Sequence, residues 1–218
     1  MHNYNKKKVD ISKLYTKFVD ILFAVVIGQS FALLGSPTGF KSWFDDVEKH
    51  MPCFANLMLV YVLVITSWIE YHRSISEYKE VKEGICRFVI DIILLFLYYM
   101  GFSYAADLIR ILMIFTCVFG FYSAWDFSRI IEYWISNFKE NRKELPKLKE
   151  LFIRFAISCL FTTIFWVIFE IYESISAHLL LLEWVKGVLF IVILIILIGY
   201  RILKRIIPKK IVKEEKLE

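Results

Sequence analysis

The sequence predicts an all-α, polytopic membrane protein with six transmembrane helices and both termini in the cytoplasm. Three observations lead there: six long apolar stretches, the short connections between them, and lysines and arginines gathered in alternate connections. Of the 218 residues, 58% are hydrophobic and 17% aromatic, and the mean hydropathy is +0.57. A soluble domain is roughly half apolar at most, so the bilayer is the expected solvent.

A helix needs about 20 mostly apolar residues to cross roughly 30 Å of hydrocarbon. The first stretch is Tyr15 to Leu34, too long and too poorly followed by small residues for a cleaved signal peptide, and it is read as a retained span. The second begins at Cys53 and continues to Ile75, its polar end among the headgroups. The third and fourth are Ile85 to Phe102 and Leu108 to Trp125; the fifth is Leu151 to Ile171 and the sixth Trp184 to Leu203. None alternates apolar and polar residues as a barrel strand does, so backbone satisfaction in lipid requires helices.

Charge orients the spans. The N-terminus, the 2-3 and 4-5 connections and the tail after span 6 hold 22 of the 27 basic residues, which places both termini inside. The net charge of +5 is mostly this asymmetry, matched to anionic lipid headgroups rather than nucleic acid. Cys53, Cys86, Cys117 and Cys159 lie in four different spans with no paired spacing, which supports neither a disulfide framework nor a metal site. No cofactor is expected.

No domain boundary is visible over 1–218. The segment 126–149 carries Ile130, Ile131, Trp134, Ile135 and Phe138 at helical spacing between charges, an amphipathic cytoplasmic extension of span 4 that ends near Pro146. The tail 204–218 is basic. Between Gly35 and Pro52, Trp43, Phe44 and Val47 among acidic residues read as a short interfacial helix.

Ionisable groups inside spans are costly and mark function or clamping. Asp20 lies about a turn and a half into span 1, and Glu70, His72 and Arg73 end span 2. Spans 1 and 2 are expected as antiparallel neighbours, which brings Asp20 to the depth of His72 and Arg73; the pair either clamps two helices or positions a pore helix.

Span 1 also repeats Ala24, Gly28 and Ala32 every four residues, a small-residue face for close helix approach. Beside it runs Val25, Gln29 and Leu33, apolar except for one amide. Around a symmetric axis these would form a narrow, mostly hydrophobic constriction; otherwise Gln29 hydrogen-bonds to a neighbouring span.

Phe18-Val19-Asp20 followed by an apolar run resembles the Phe-Ser-Asp signature of the lysosomal and prokaryotic potassium channels called transmembrane protein 175, and Trp68-Ile69-Glu70-Tyr71-His72-Arg73 is similar to the Trp-x-x-His-His-Arg ending of that family's second helix. The resemblance implies a tetramer with span 1 around a cation pore, Val25 at its apolar constriction and Gln29 as the next ring, supported by a network of Phe18, Asp20, Trp68, His72 and Arg73. Val19 replaces the motif serine, Leu14 the arginine four before Phe18, and Tyr71 the first histidine, which marks a diverged member.

The expected function is an oligomeric cation channel of the cell membrane, a homotetramer or dimer, with potassium as the candidate permeant ion. The alternative is a membrane-embedded effector or scaffold of a bacterial defence or toxin system that depolarises the membrane or docks a cytoplasmic protein partner through 126–149 and the tail. Enzyme chemistry is not expected, because His72, Asp20 and Asp91 have no convincing nucleophile beside them.

Overall fold

The computed structural model describes residues 11–34, 47–77, 85–140, 145–176 and 183–214, with side chains over 17–32, 52–73, 86–135, 148–175 and 186–208. The described chain is all helical: α1 (Ile11–Leu34), α2 (Val47–Glu77), α3 (Ile85–Ser103), α4 (Leu108–Glu140), α5 (Leu145–Ser176) and α6 (Glu183–Glu214). The interfacial helix expected between Gly35 and Pro52 falls mostly outside the described residues.

Five of these helices are long and apolar enough to cross a membrane, over Pro52–Arg73, Cys86–Ser103, Leu108–Ile135, Leu148–Ile175 and Lys186–Pro208. Large exposed apolar side chains occur on every helix: Ile21, Ile65, Phe96, Met113, Leu160 and Ile195 are examples. Water would penalise such a surface on all sides, whereas lipid accepts it, so this is a membrane protein. Pro52 and Pro208 stand at the two extremes of their spans, so the helical hydrogen bond that each removes is lost near a span end rather than in mid-membrane.

The two longest helices, α4 and α5, form the central hairpin, and α6 packs along α5. α3 lies against α4, joined to it through a tight turn at Tyr104 to Asp107 whose Ala105 carbonyl accepts a hydrogen bond from the buried Asn56 amide of α2 at 2.9 Å. α2 closes the bundle against α6 and α3. The centre is aromatic: Phe119 stacks on Phe165 at 4.6 Å and meets the edge of Tyr200 at 4.8 Å. Offset and edge contacts of this kind add attraction beyond the area they cover, which matters in lipid, where apolar burial between helices gains little.

α1 differs from the expected arrangement. Its backbone packs mainly on α3, not on α2, because Val19, Phe23 and Val26 enter the common core and Phe23 meets Tyr98 at 6.0 Å. α2 is reached through side chains: Ser30 meets the Tyr61 hydroxyl at 2.6 Å, Phe31 lies against the Tyr61 ring at 5.9 Å, and Asp20 meets His72 at 2.7 Å.

α4 runs without interruption from Leu108 to Glu140, and α5 starts at Leu145 with Pro146 in its first turn, where a missing N–H is harmless. Beyond the main core, Ile130, Tyr133 and Leu151 make a small second cluster at this end of the hairpin. Asp107 pairs with Arg110 three residues on, at 2.9 Å.

Among the described glycines the tightest is Gly101, where an added Cβ would stand 3.2 Å from Val60 Cγ1 and 3.3 Å from Cγ2. Gly101→Leu should therefore cost about 1 to 3 kcal/mol through overpacking, read as a lower melting midpoint by circular dichroism in detergent. Gly199→Ala, where a Cβ meets nothing within 4 Å, should leave the midpoint unchanged; equal effects at both positions would refute the contact.

Candidate functional site

Three helix faces that are apolar in mid-bundle turn polar near one end. On α4 the buried row Phe115, Phe119 and Tyr122 ends in Asp126; on α5 Phe165, Phe161 and Ser158 lead to Arg154; on α6 Ile193, Leu197 and Tyr200 lead to Lys204. Each row follows the three- and four-residue spacing that keeps one helix face inward, so the charges are carried into the bundle by the same periodicity that buries the core.

Lys204 Nζ donates to Asp126 Oδ2 at 2.6 Å, to Tyr200 Oη at 2.9 Å and to Ser158 Oγ at 3.1 Å. An ammonium has three N–H groups, and all three are committed. Ser158 in turn donates to Asp126 Oδ2 at 2.6 Å, leaving Tyr200 to donate to Ser158 at 3.1 Å. The Lys204 and Asp126 side chains are only 7% and 1% exposed. This burial makes the pair a lock between α4 and α6, because neither charge has water as an alternative partner.

One turn toward mid-bundle, Arg201 Nη2 donates to Ser67 Oγ at 2.7 Å and Tyr122 Oη at 3.0 Å, tying α6 to α2 and α4. Its guanidinium also lies over the Tyr122 and Tyr200 rings at 5.1 and 5.2 Å. Ser67 donates to its own helix at Leu63 O, so Tyr122 donates to Ser67 and Tyr98 to Tyr122 at 2.8 Å. The hydroxyl chain thus has one direction, set by the arginine at its acceptor lone pairs.

Three further ion pairs involve the same helices and α3. Arg154, 2% exposed, reaches Glu150 at 2.8 Å and Glu70 at 3.6 Å, and Arg87 lies 2.7 Å from Glu132. A cleft, in part continuous with the exterior, is lined by Phe23, Ser67, Glu70, Asp91, Arg201 and Lys204 among others.

Of the network expected at the ends of spans 1 and 2, the structure brings together three members. His72 Nε2 lies 2.7 Å from Asp20 Oδ1, and the Trp68 indole N–H donates to the same oxygen at 3.3 Å. Phe18 is 43% exposed and rests on Phe88 of α3 at 5.7 Å. Arg73 follows at the end of the same span.

Val25, Gln29, Ala24, Gly28 and Ala32 all lie on the face of α1 turned away from the rest of the chain, and a Cβ at Gly28 would meet nothing within 4 Å. The Leu33 side chain is outside the described residues. Gln29 makes no side-chain hydrogen bond among the described residues, so the small-residue face is not packed on a neighbouring span of the same chain.

Sequence reasoning missed the largest site. It placed Asp126 and Arg129 in a cytoplasmic connection and counted Arg201 and Lys204 with the basic tail after span 6, yet Asp126, Arg129 and Lys204 are buried. The signal was present as polar residues continuing inward apolar rows, which a count of charges by connection ignores.

Neither a family model, nor a curated protein, nor a solved structure matches the chain.

Removing one partner of the buried pair should be severe. Lys204→Met alone leaves Asp126 uncompensated and should cost about 3 to 5 kcal/mol, with much of the loss recovered in the double variant Lys204→Met with Asp126→Asn. His72→Gln should cost about 1 kcal/mol or less, because both side chains of that pair are more than a third exposed, at 39% and 38%. Denaturant or thermal unfolding of these three variants and of Asp126→Asn alone checks this ranking; additive effects of the two core substitutions would refute the lock.

Proposed function

We propose that the protein is a homo-oligomeric cation channel in which α1 of each copy faces a shared axis. One observation carries this reading: α1 presents Val25 and Gln29, beside the small residues Ala24, Gly28 and Ala32, to the outside of its own chain, and the Gln29 amide has no partner there. A primary amide among acyl chains is unfavourable, and water in a pore or another copy relieves it. The flat stripe beside it permits close approach of a second helix.

Cations fit this helix better than anions. Residues 18–34 contain no lysine or arginine, and a ring of Gln29 amide oxygens offers acceptors just where the apolar Val25 ring narrows the path. The Asp20, Trp68 and His72 contacts fix the cytoplasmic end of α1 relative to α2. The motif resemblance to the transmembrane protein 175 channels supports the same assignment, including a tetramer in the cell membrane, with α1 as the sixth span and both chain ends cytoplasmic.

The alternative, a membrane effector docked to a cytoplasmic partner, draws on Phe127, Ile131, Trp134 and Ile135, which are exposed along α4. Flux measurements separate the two.

Purified protein in liposomes should pass monovalent cations. Gln29→Ala, by drying the constriction, should reduce flux about tenfold, equivalent to about 1.4 kcal/mol in the barrier, and Val25→Asn should raise it. On a cysteine-free background, Gly28→Cys should cross-link between copies under oxidation. Absence of flux across voltage and pH, or a Gly28→Cys variant that stays monomeric, overturns the channel.

Orientation is tested separately. A reporter that fluoresces only in the cytoplasm should be active when fused after Glu218, and a reporter that needs the exterior should be inactive there; the reverse pattern rejects a cytoplasmic C-terminus.

A further inference from the structure

The two cations of the central cleft are not equivalent. Lys204 has all three N–H groups on Asp126, Tyr200 and Ser158. Arg201 commits only Nη2, whose two hydrogens serve Ser67 and Tyr122. A guanidinium has five N–H groups in a fixed plane, so the Nε and Nη1 donors of Arg201 remain without a protein acceptor among the described residues. No carboxylate lies within ion-pair distance of Arg201 there, although its side chain lines the cleft. A guanidinium held rigidly by one nitrogen, with donors left over on the other two, is a receptor for an oxyanion.

The rest of the lining restricts which oxyanion. Glu70, which also faces Arg154 at 3.6 Å, and Asp91 line the same cleft; two carboxylates there oppose a dianion, and their oxygens can accept from a primary ammonium in addition to the contacts they already make. Tyr71, Tyr98, Tyr122 and Trp125 supply aromatic surface that also favours a cation, and Phe23 and Leu94 supply an apolar side. The lining therefore asks for a monoanion and an ammonium in one molecule, with an apolar extension.

Depth points to the source. Glu70 is three residues from the end of its span at Arg73, Asp91 five from Cys86, and Lys204 four from Pro208. At about 1.5 Å per residue these groups stand roughly 5 to 8 Å inside the span ends and Arg201, seven residues from Pro208, roughly 10 Å inside, so the cleft reaches from the headgroup boundary a short way into the hydrocarbon.

We propose that this cleft binds the headgroup of an aminophospholipid of the phosphatidylethanolamine type, its phosphodiester on Arg201 Nε and Nη1 and its ammonium toward Asp91 and Glu70. The lipid then bridges α2, α3, α4 and α6 from within one subunit. This site is independent of conduction: it rests on the membrane setting and on the cleft, not on α1 as a pore.

Native mass spectrometry of the full chain in detergent, titrated with lipid, tests it. Phosphatidylethanolamine should bind at least tenfold more tightly than phosphatidylglycerol. Arg201→Gln should weaken phosphatidylethanolamine about ten- to a hundredfold, the loss expected for a charged hydrogen-bonded contact. Because Arg201→Gln also removes the ties to Ser67 and Tyr122, Asp91→Asn is the second variant, and it should narrow the preference over phosphatidylglycerol. Glycerophosphoethanolamine, the headgroup without acyl chains, separates two sources: displacement of the lipid by it at equal concentration makes a water-soluble phosphodiester the ligand, and failure to displace assigns the site to membrane lipid. Equal binding of the two lipids by the unaltered protein, or a folded Arg201→Gln variant that keeps its affinity and an Asp91→Asn variant that keeps its preference, overturns the proposal.

Discussion

Lys204 and Asp126 sit 2.6 Å apart in a bundle whose outer surface is apolar on every helix. An ion in such surroundings is tolerable only when its partner is fixed, and the fixing is done by Ser158 and Tyr200, which bridge the same two groups. Since Tyr200 also stacks with Phe119 and Tyr122, the aromatic centre and the polar lock are one structure. The angle and register of α4, α5 and α6 follow from it. α2 joins through Arg201 and Ser67, and α3 through Tyr98 and Tyr122. Only α1 remains outside this web of hydrogen bonds.

That exclusion shapes the functional reading. α1 enters the core through Val19, Phe23 and Val26 and is pinned to α2 at the partly exposed Asp20 and His72 and at Ser30 and Tyr61. These contacts are weaker than a buried charge lock, so α1 is the helix whose position costs least to alter. It is also the helix whose outward face holds an unpartnered amide between small residues. A pore-lining element needs both properties: a face not consumed by its own subunit, and attachment loose enough to respond to its neighbours.

The helices were legible because the requirement for internal backbone hydrogen bonds in lipid leaves no other structure for such apolar runs. Asp20 and His72 were legible too, since orientation placed both at one depth. The packing of α1 on α3 was not, because a short connection constrains only the ends of a helix pair, and here Phe23 found Tyr98 instead. The central site was misread for a different reason. Counting basic residues by connection treats Lys204 as equal to Arg205, whereas the inward row Ile193, Leu197, Tyr200, Lys204 carries Lys204 into the bundle and leaves Arg205 exposed. Charge number orients a membrane protein; charge phase along the helix says which charges are inside it.

The same phase argument joins the cleft to the lock. On α6, Lys204 continues the buried row and is saturated, while Arg201, one position out of phase with Tyr200, reaches the cleft with its donors half committed. Replacing Arg201 by lysine would keep the charge but could not keep two hydroxyls and still present a planar pair of donors, because an ammonium is a point rather than a fork. The geometry thus separates two roles within four residues of one helix: Lys204 holds the bundle closed, and Arg201 uses the rigidity so obtained to face an anion.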